Sequence, residues 1–249
     1  MQHIRTGHEG ELLVITLARG KANALNAEMM DELHAAVAEA GADPEVRGLV
    51  LASDNPRFFS AGFDAREVFG YDRAQLGGFF RRFTEVYEAL RALPKPAVAA
   101  LTGHTFAGGA ILALACDIRV MARGEFGFAL NEINLGLLLT PEIGRMLMEA
   151  AGAGRAREML LTGEPVNPER AYAIGLVNEL AEPGEVVARA LARARQLAAK
   201  PPQTFAAMKR QVRMLAAGTE PEAGVERFVD LWFSGEAVEA RRRVAEKLG

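Results

Sequence analysis

An α/β domain with a parallel sheet and crossover helices is predicted by the order of apolar runs along this 249-residue chain. Four short runs, at 12–17, 48–52, 96–101 and 118–122, read as strands, that at 96–101 buried. Segments with helical apolar spacing fall between them, and after Asn134 the chain reads almost wholly helical. A helical C-terminal region is therefore part of the prediction.

Each element has its own local reason. Asn26 can accept an N–H at the start of a helix over 27–40, where Met29, Leu33, Ala36 and Val37 recur at helical spacing. The run GLVLA at 48–52 is continuous and apolar and reads as a strand. Leu76, Phe79, Phe80, Phe83, Val86, Tyr87 and Leu90 mark one face of a helix over 74–93, which Pro94 and Pro96 stop. A strand at 96–101, a glycine-containing turn, a small-residue helix over 107–115 and a strand at 118–122 follow. Beyond Asn134, helices are expected over 141–151, 153–161, 168–174, 185–199 and 202–217, with 176–180 extended. The tail crowds Val225, Phe228, Val229, Leu231, Trp232 and Phe233 ahead of a charged helix at 237–248. Those side chains either pack on the chain's own core or form a subunit interface or lid, and the sequence leaves both open.

Composition narrows the functional classes. Half of the residues are apolar, enough for a sizeable core, and the net charge is −3. That balance argues against nucleic acid as a partner, since phosphate backbones call for a basic surface. The lone Cys116 excludes an internal disulfide and a cysteine-rich zinc site, and reads as a small apolar filler. The N-terminus has neither a signal-peptide nor a transit-peptide layout, and no window approaches 18 uncharged apolar residues. A cytoplasmic protein that does not enter a membrane is expected. Dinucleotide-binding GxGxxG, P-loop and HExxH patterns are absent.

Three segments carry candidate chemistry. In the first, Phe58 to Asp64 (FFSAGFD), the small residues Ser60, Ala61 and Gly62 allow close backbone approach to a ligand, and Asp64 can cap a helix. In the second, Gly103 to Ala110 (GHTFAGGA), Gly108 and Gly109 stand at a helix start, where N–H groups lack intrahelical partners and the dipole favours negative charge. The third, Phe128 to Gly136 (FALNEINLG), sets the carboxylate of Glu132 in an apolar run, which makes it a candidate general base. His104 has no Ser or Asp partner at suggestive spacing and reads as a turn residue.

In this order, SAGFD, PKPAVAALTGHTFAGGAILALACDIRVMA and FGFALNEINLGL resemble the enoyl-CoA hydratase/isomerase (crotonase) superfamily, from about Leu12 to the C-terminus. The resemblance implies a crotonase spiral of ββα turns over 1–190 with the active site. A helical trimerisation or lid region over 191–249 would follow, in homotrimers or dimers of trimers. It implies an acyl-CoA thioester as substrate, with coenzyme A as part of that substrate and no separate cofactor or metal. It also implies an oxyanion hole from the backbone N–H groups of Phe63 and Gly108. Substrate contacts are expected from Ala22, Ala24 and Leu25 beside the adenine, and also from Ser60, Ala61, Gly62, Asp64, Gly109, Ile111, Asn131 and Leu135. Arg66 is expected on a phosphate, and Lys209 could reach coenzyme A across a subunit boundary.

Hydratases of the superfamily use two glutamates, one in the helix after the glycine pair and one in the third segment. Here the first position is Ile111 and the second is Glu132. A single carboxylate suits a reaction that only moves a proton, and the LNE-x-x-LG run and tail look similar to mitochondrial-type 3,2-enoyl-CoA isomerases. The expected activity is therefore conversion of 3-enoyl-CoA to trans-2-enoyl-CoA, with Glu132 as shuttle. The loop LLLTPEIG lacks the Pro-Gly-x-Gly pattern common in hydratases, and Glu142 within it reads as a helix-start acid. The alternatives are an enoyl-CoA hydratase and a non-catalytic acyl-CoA binding protein.

Overall fold

The protein is described from a computed structural model, over residues 1–218 and 230–246. Among the described residues, nine strands form two sheets. The larger contains β1 (Ile4–Glu9), β2 (Leu12–Leu17), β3 (Gly48–Ser53), β5 (Ala97–Leu101), β7 (Ile118–Ala122) and β9 (Glu179–Ala181), adjacent in that order. Only β1 runs antiparallel to its neighbour. The smaller sheet is parallel and contains β4 (Phe58–Ser60), β6 (His104–Phe106) and β8 (Phe128–Ala129).

The chain winds as a spiral in which each turn gives one strand to the large sheet, one to the small sheet, and then a helical segment. β3 and β4 lead to α2 (Ala65–Val68) and α3 (Arg73–Ala92), and β5 and β6 lead to α4 (Gly108–Ala115). β7 and β8 lead to α5 (Pro141–Thr162). This is the expected α/β spiral of ββα turns. Both faces of β3 are covered, which is why it reads as an unbroken apolar run. Leu49 and Leu51 join the main core with α1 (Ala27–Ala42), α3, α4 and α5, while Val50 and Ala52 face the other way. That second face packs on Val186, Ala190, Ala194 and Ala198 of α7 (Val186–Ala198). The expected division at residue 190 falls inside α7, which packs with the sheet.

Local chemistry accounts for the helix limits. The Asn26 side chain accepts from Met29 N at 3.0 Å, and Asp72 and Gln75 close a reciprocal capping box at the start of α3. Leu76 departs from the predicted apolar face of α3 and is exposed, one turn into the helix. Gly152 breaks α5 with φ 77° and ψ 155°, between the two helices predicted there. α6 (Pro168–Ala173) and α8 (Pro202–Ala216) follow closely the predicted bounds.

Two cations, Arg91 buried and Lys209 half-buried, fasten the helices. Arg91 of α3 lies against Glu142 and Glu149 of α5, which places Glu142 in an ion pair away from catalysis. Lys209 of α8 donates to Asp117 at 2.8 Å and to the Lys95 carbonyl at 3.1 Å, which ties α8 to the end of α4 and the start of β5. In the tail, α9 spans Gly235–Ala245, and Trp232 and Phe233 are exposed, with Arg241 stacked 4.1 Å over the Trp232 ring. Val225, Phe228 and Val229 lie outside the described residues.

Candidate active site

The small sheet brings the three sequence segments to one place. β6 pairs with β4 on one side and β8 on the other, so the residues that follow each strand emerge together. These are Gly62 and Phe63 after β4, Gly108 after β6, and Glu132 after β8.

Glycine is required where the first two segments touch. Gly62 has φ +91°, and a methyl group there would sit 2.7 Å from Ala107 Cβ and 3.2 Å from Gly108 N. A methyl group on Gly109 would lie 2.6 Å from Ser60 Cβ. These contacts hold the Gly62–Phe63 peptide against the first turn of α4. Leu25 N donates to Gly62 O and Asp64 N to Leu25 O, both at 2.8 Å, so the ladder skips the N–H of Phe63. Among the described residues that N–H donates to nothing. Gly108 is the first residue of α4 and its N–H has no intrahelical acceptor. Two unpaired amides from different loops therefore stand side by side at a helix start, an arrangement suited to oxygen carrying negative charge.

Glu132 begins a short 3₁₀ helix, Glu132–Leu135, that follows β8. It is 6% exposed, and its Oε2 is buried without a hydrogen-bond partner. Burial pushes its pKa up to about 7. A carboxylate held near neutrality with an empty acceptor can take up a proton and return it. Ile111, one turn into α4, is 1% exposed, and α4 contains no acid. The nearby acids are engaged: Asp64 pairs with Arg19 at 2.8 Å, and Glu67 accepts from Ala27 N and Tyr71 OH. For Asp64, desolvation alone would raise the pKa, but the Arg19 bond and charge outweigh it and the pKa is lowered.

Behind the loops runs a polar spine that sequence reasoning missed. Asn23 is fully buried at φ +46°; its Oδ1 accepts from Arg19 N at 2.6 Å and its Nδ2 donates to Ser53 Oγ at 2.7 Å. Ser53 Oγ donates in turn to Phe58 O. Ser60 Oγ donates to Asn23 O at 2.7 Å and accepts from Gly62 N at 3.1 Å, which orients the peptide whose next amide is Phe63 N–H. A signal was present, since Asn is the residue after glycine that best tolerates positive φ.

The remaining predicted residues divide. Ala22, Ala24 and Leu25 do flank the site, but the carbonyls of all four residues 22–25 already accept internal bonds. Adenine contacts there would use second lone pairs or free amides. Ala61 N donates to Ala22 O at 2.9 Å, which joins the two loops. Arg66 is exposed just past Phe63. The Phe63 ring lies over Gly108 and packs edge-on against Phe79 and Phe83, at 5.0 and 4.8 Å between centroids. Asn131 holds its turn through its backbone carbonyl, which accepts from Asn134 N, and its side chain makes no capping bond. Leu135 is 59% exposed beside Leu137 and the 95% exposed Leu138, and forms an open rim.

His104 is structural. Its Nδ1 accepts from Gly127 N at 3.0 Å, and Phe58, Phe106 and Phe126 surround the ring. Burial, then the nearby Arg57, lowers its pKa, so the fold favours the neutral ring. A lowered folded-state pKa gives stability that is complete above the unfolded value and is lost as pH falls through it. Denaturation midpoints measured from about pH 7.5 to 5 should therefore fall more steeply for the native protein than for His104→Phe. Equal slopes would mean that the Gly127 bond does not control the ring.

A sequence profile described as enoyl-CoA hydratase/isomerase matches residues 7–231. A short-chain-enoyl-CoA hydratase of Clostridium acetobutylicum is 33% identical over 182 residues, 72% of this chain and 69% of that protein. A crotonyl-CoA hydratase of Syntrophomonas wolfei is 32% identical over 183 residues, with the same coverage of 72% and 69%. Among solved structures, Pseudomonas aeruginosa DspI superposes with a TM-score of 0.90 at 32% identity, covering 99% of this chain and 95% of that one. An "enoyl-CoA hydratase/carnithine racemase" of Magnetospirillum magneticum gives a TM-score of 0.91 at 26% identity, covering 99% and 94%. The curated relatives carry hydratase names, so they do not support the expected closeness to mitochondrial-type isomerases.

Proposed function

The chain belongs to the enoyl-CoA hydratase/isomerase family, and from that premise we propose that it moves a proton on an acyl-CoA thioester through an enolate. Glu132 takes the proton from the α-carbon, and the N–H groups of Phe63 and Gly108 hold the thioester oxygen as it gains charge. The electron pair of the broken C–H bond passes into the carbonyl, and its return to carbon is coupled to delivery of the proton from Glu132. The enzyme needs no cofactor of its own, since coenzyme A is part of the substrate.

The observation that supports one reaction is the single unpartnered carboxylate of the site among the described residues. With Ile111 where a second acid would stand, the site suits conversion of 3-enoyl-CoA to trans-2-enoyl-CoA, in which one group removes the α-proton and returns it at the γ-carbon. The names of the curated relatives favour a second reading, hydration of trans-2-enoyl-CoA. There Glu132 alone would handle both the water and the α-carbon proton. Simple acyl-CoA binding is disfavoured by Glu132 itself, because an unpartnered buried carboxylate weakens a fold without helping affinity for a neutral acyl group. Homotrimers or dimers of trimers remain the proposed assembly, supported by the apolar rim of Leu135, Leu137 and Leu138.

The pure protein should convert trans-3-hexenoyl-CoA to a conjugated 2-enoyl thioester, seen by ultraviolet absorbance, with no change in product mass. Gain of one water from trans-2-hexenoyl-CoA, without conjugation of the 3-enoyl substrate, would replace isomerisation by hydration. Silence with both substrates would remove both readings.

A further inference from the structure

Helix α4, whose first turn holds Gly108, ends on a buried cation. Arg119 of β7 is 6% exposed. Its Nη1 donates to the carbonyls of Cys116 at 2.9 Å and Ala113 at 3.5 Å, and its Nε donates to Leu176 O at 2.7 Å. Ala113 lies in the last turn of α4 and Cys116 caps its end. Every hydrogen-bond partner of this guanidinium is neutral, and among the described residues no carboxylate comes within ion-pair distance of it. Asp117, nearby in the chain, turns instead to Lys209 and Ala97 N. α4 itself has no acid in its first turn and no basic residue in its last.

A guanidinium buried against carbonyls alone is costly, and it keeps its proton there. Its place at the helix end suggests what offsets that cost. The carbonyl end of a helix carries partial negative charge, which weakens the positive potential at the other end. We propose that Arg119 is an electrostatic positioning residue: its buried charge cancels the negative pole of α4 and strengthens the field at Gly108 N–H, where the thioester oxygen becomes an enolate. The inference rests on the oxyanion role proposed for Phe63 and Gly108. An eight-residue helix is about 12 Å long. At roughly 14 Å and an effective dielectric near 20, one unit charge favours an enolate oxygen by about sevenfold, or about 1.2 kcal/mol. Because the neutral thioester gains much less, the effect falls on turnover more than on binding.

The test reads the field at the bound carbonyl. Hexanoyl-CoA labelled with ¹³C at the thioester carbon is bound to the full-length protein, and its carbonyl stretch is followed by infrared difference spectroscopy. In the native protein the stretch should lie below that of free ligand; no lowering would sink the oxyanion reading and this inference with it. Given that lowering, Arg119→Gln, which loses the charge but keeps an amide donor, should recover part of it. Its kcat should fall about sevenfold with little change in KM. Arg119→Lys should keep most of the lowering. Asp117→Asn removes the neighbouring anion and should move the band further down, the opposite direction. It also decides the matter if the Arg119 variants do not fold. A native-like band in folded Arg119→Gln, or an unmoved band in Asp117→Asn, would reduce Arg119 to a purely structural tie and overturn the proposal.

Discussion

Glu132→Gln should lower turnover roughly 10³- to 10⁴-fold while acyl-CoA affinity stays within a few-fold of native. The amide fills the same space, so the Phe63 and Gly108 donors remain in place and only the proton carrier is lost. Because burial holds the carboxyl near a pKa of about 7, the native kcat/KM should rise with pH up to about 7 and then level off. A limb in the ordinary carboxylate range would mean that water reaches Oε2 in solution. Stability should move the other way. A folded-state pKa raised above the unfolded value gives stability that is present in acid and lost as pH rises from about 4.5 to about 7. Thermal midpoints of the Gln variant should therefore exceed native ones above neutrality and approach them in acid. Near-native turnover in the variant would end the assignment of Glu132 as base.

Gly62→Ala should be the most damaging single methyl in the site. The residue sits at φ +91°, where an L side chain is strained at a cost of about 1–3 kcal/mol. The new methyl would also meet Ala107 Cβ at 2.7 Å and Gly108 N at 3.2 Å. Relief requires the two loops to part, and that separates the two amide donors. Loss of one such donor lowers kcat by about 10²- to 10³-fold, so the folded variant should lose at least that much activity. Gly78→Ala is the matched control. It lies in α3 with nothing within 4 Å of the added methyl, and should be neutral or slightly stabilising. Comparable activity in the two variants would show that the donors do not depend on the contact of Gly62 with α4.

How far the sequence foretold this molecule depended on the length of each element. Buried strands of five or six residues and amphipathic helices declare themselves by composition and period, and even the Gly152 break in α5 was legible. Strands β4, β6 and β8 are two or three residues long, too short for any period. Yet they are what gathers Gly62, Gly108 and Glu132. The glycines and the carboxylate among apolar neighbours marked the candidate segments, but the roles expected of their residues came from the resemblance to the superfamily. The supporting residues could not be read: Asn23, Ser53 and Arg119 act through bonds to backbone atoms far away in sequence, which no local pattern announces. Leu135 shares the Glu132 segment but closes its short 3₁₀ helix and lies exposed, which the apolar pattern of that run did not announce.

Both border strands of the large sheet carry features that discourage further pairing. β1 exposes five of its six residues, including Arg5, His8 and Glu9, and Gly7 among them has little taste for extended structure. At the other end β9 has only three residues, and Glu179 there is ion-paired to Arg189 and Arg193 from α7. Short or charged borders of this kind discourage strand-to-strand aggregation, the standing hazard of an open sheet. Association with another copy by lengthening the sheet is disfavoured at both borders.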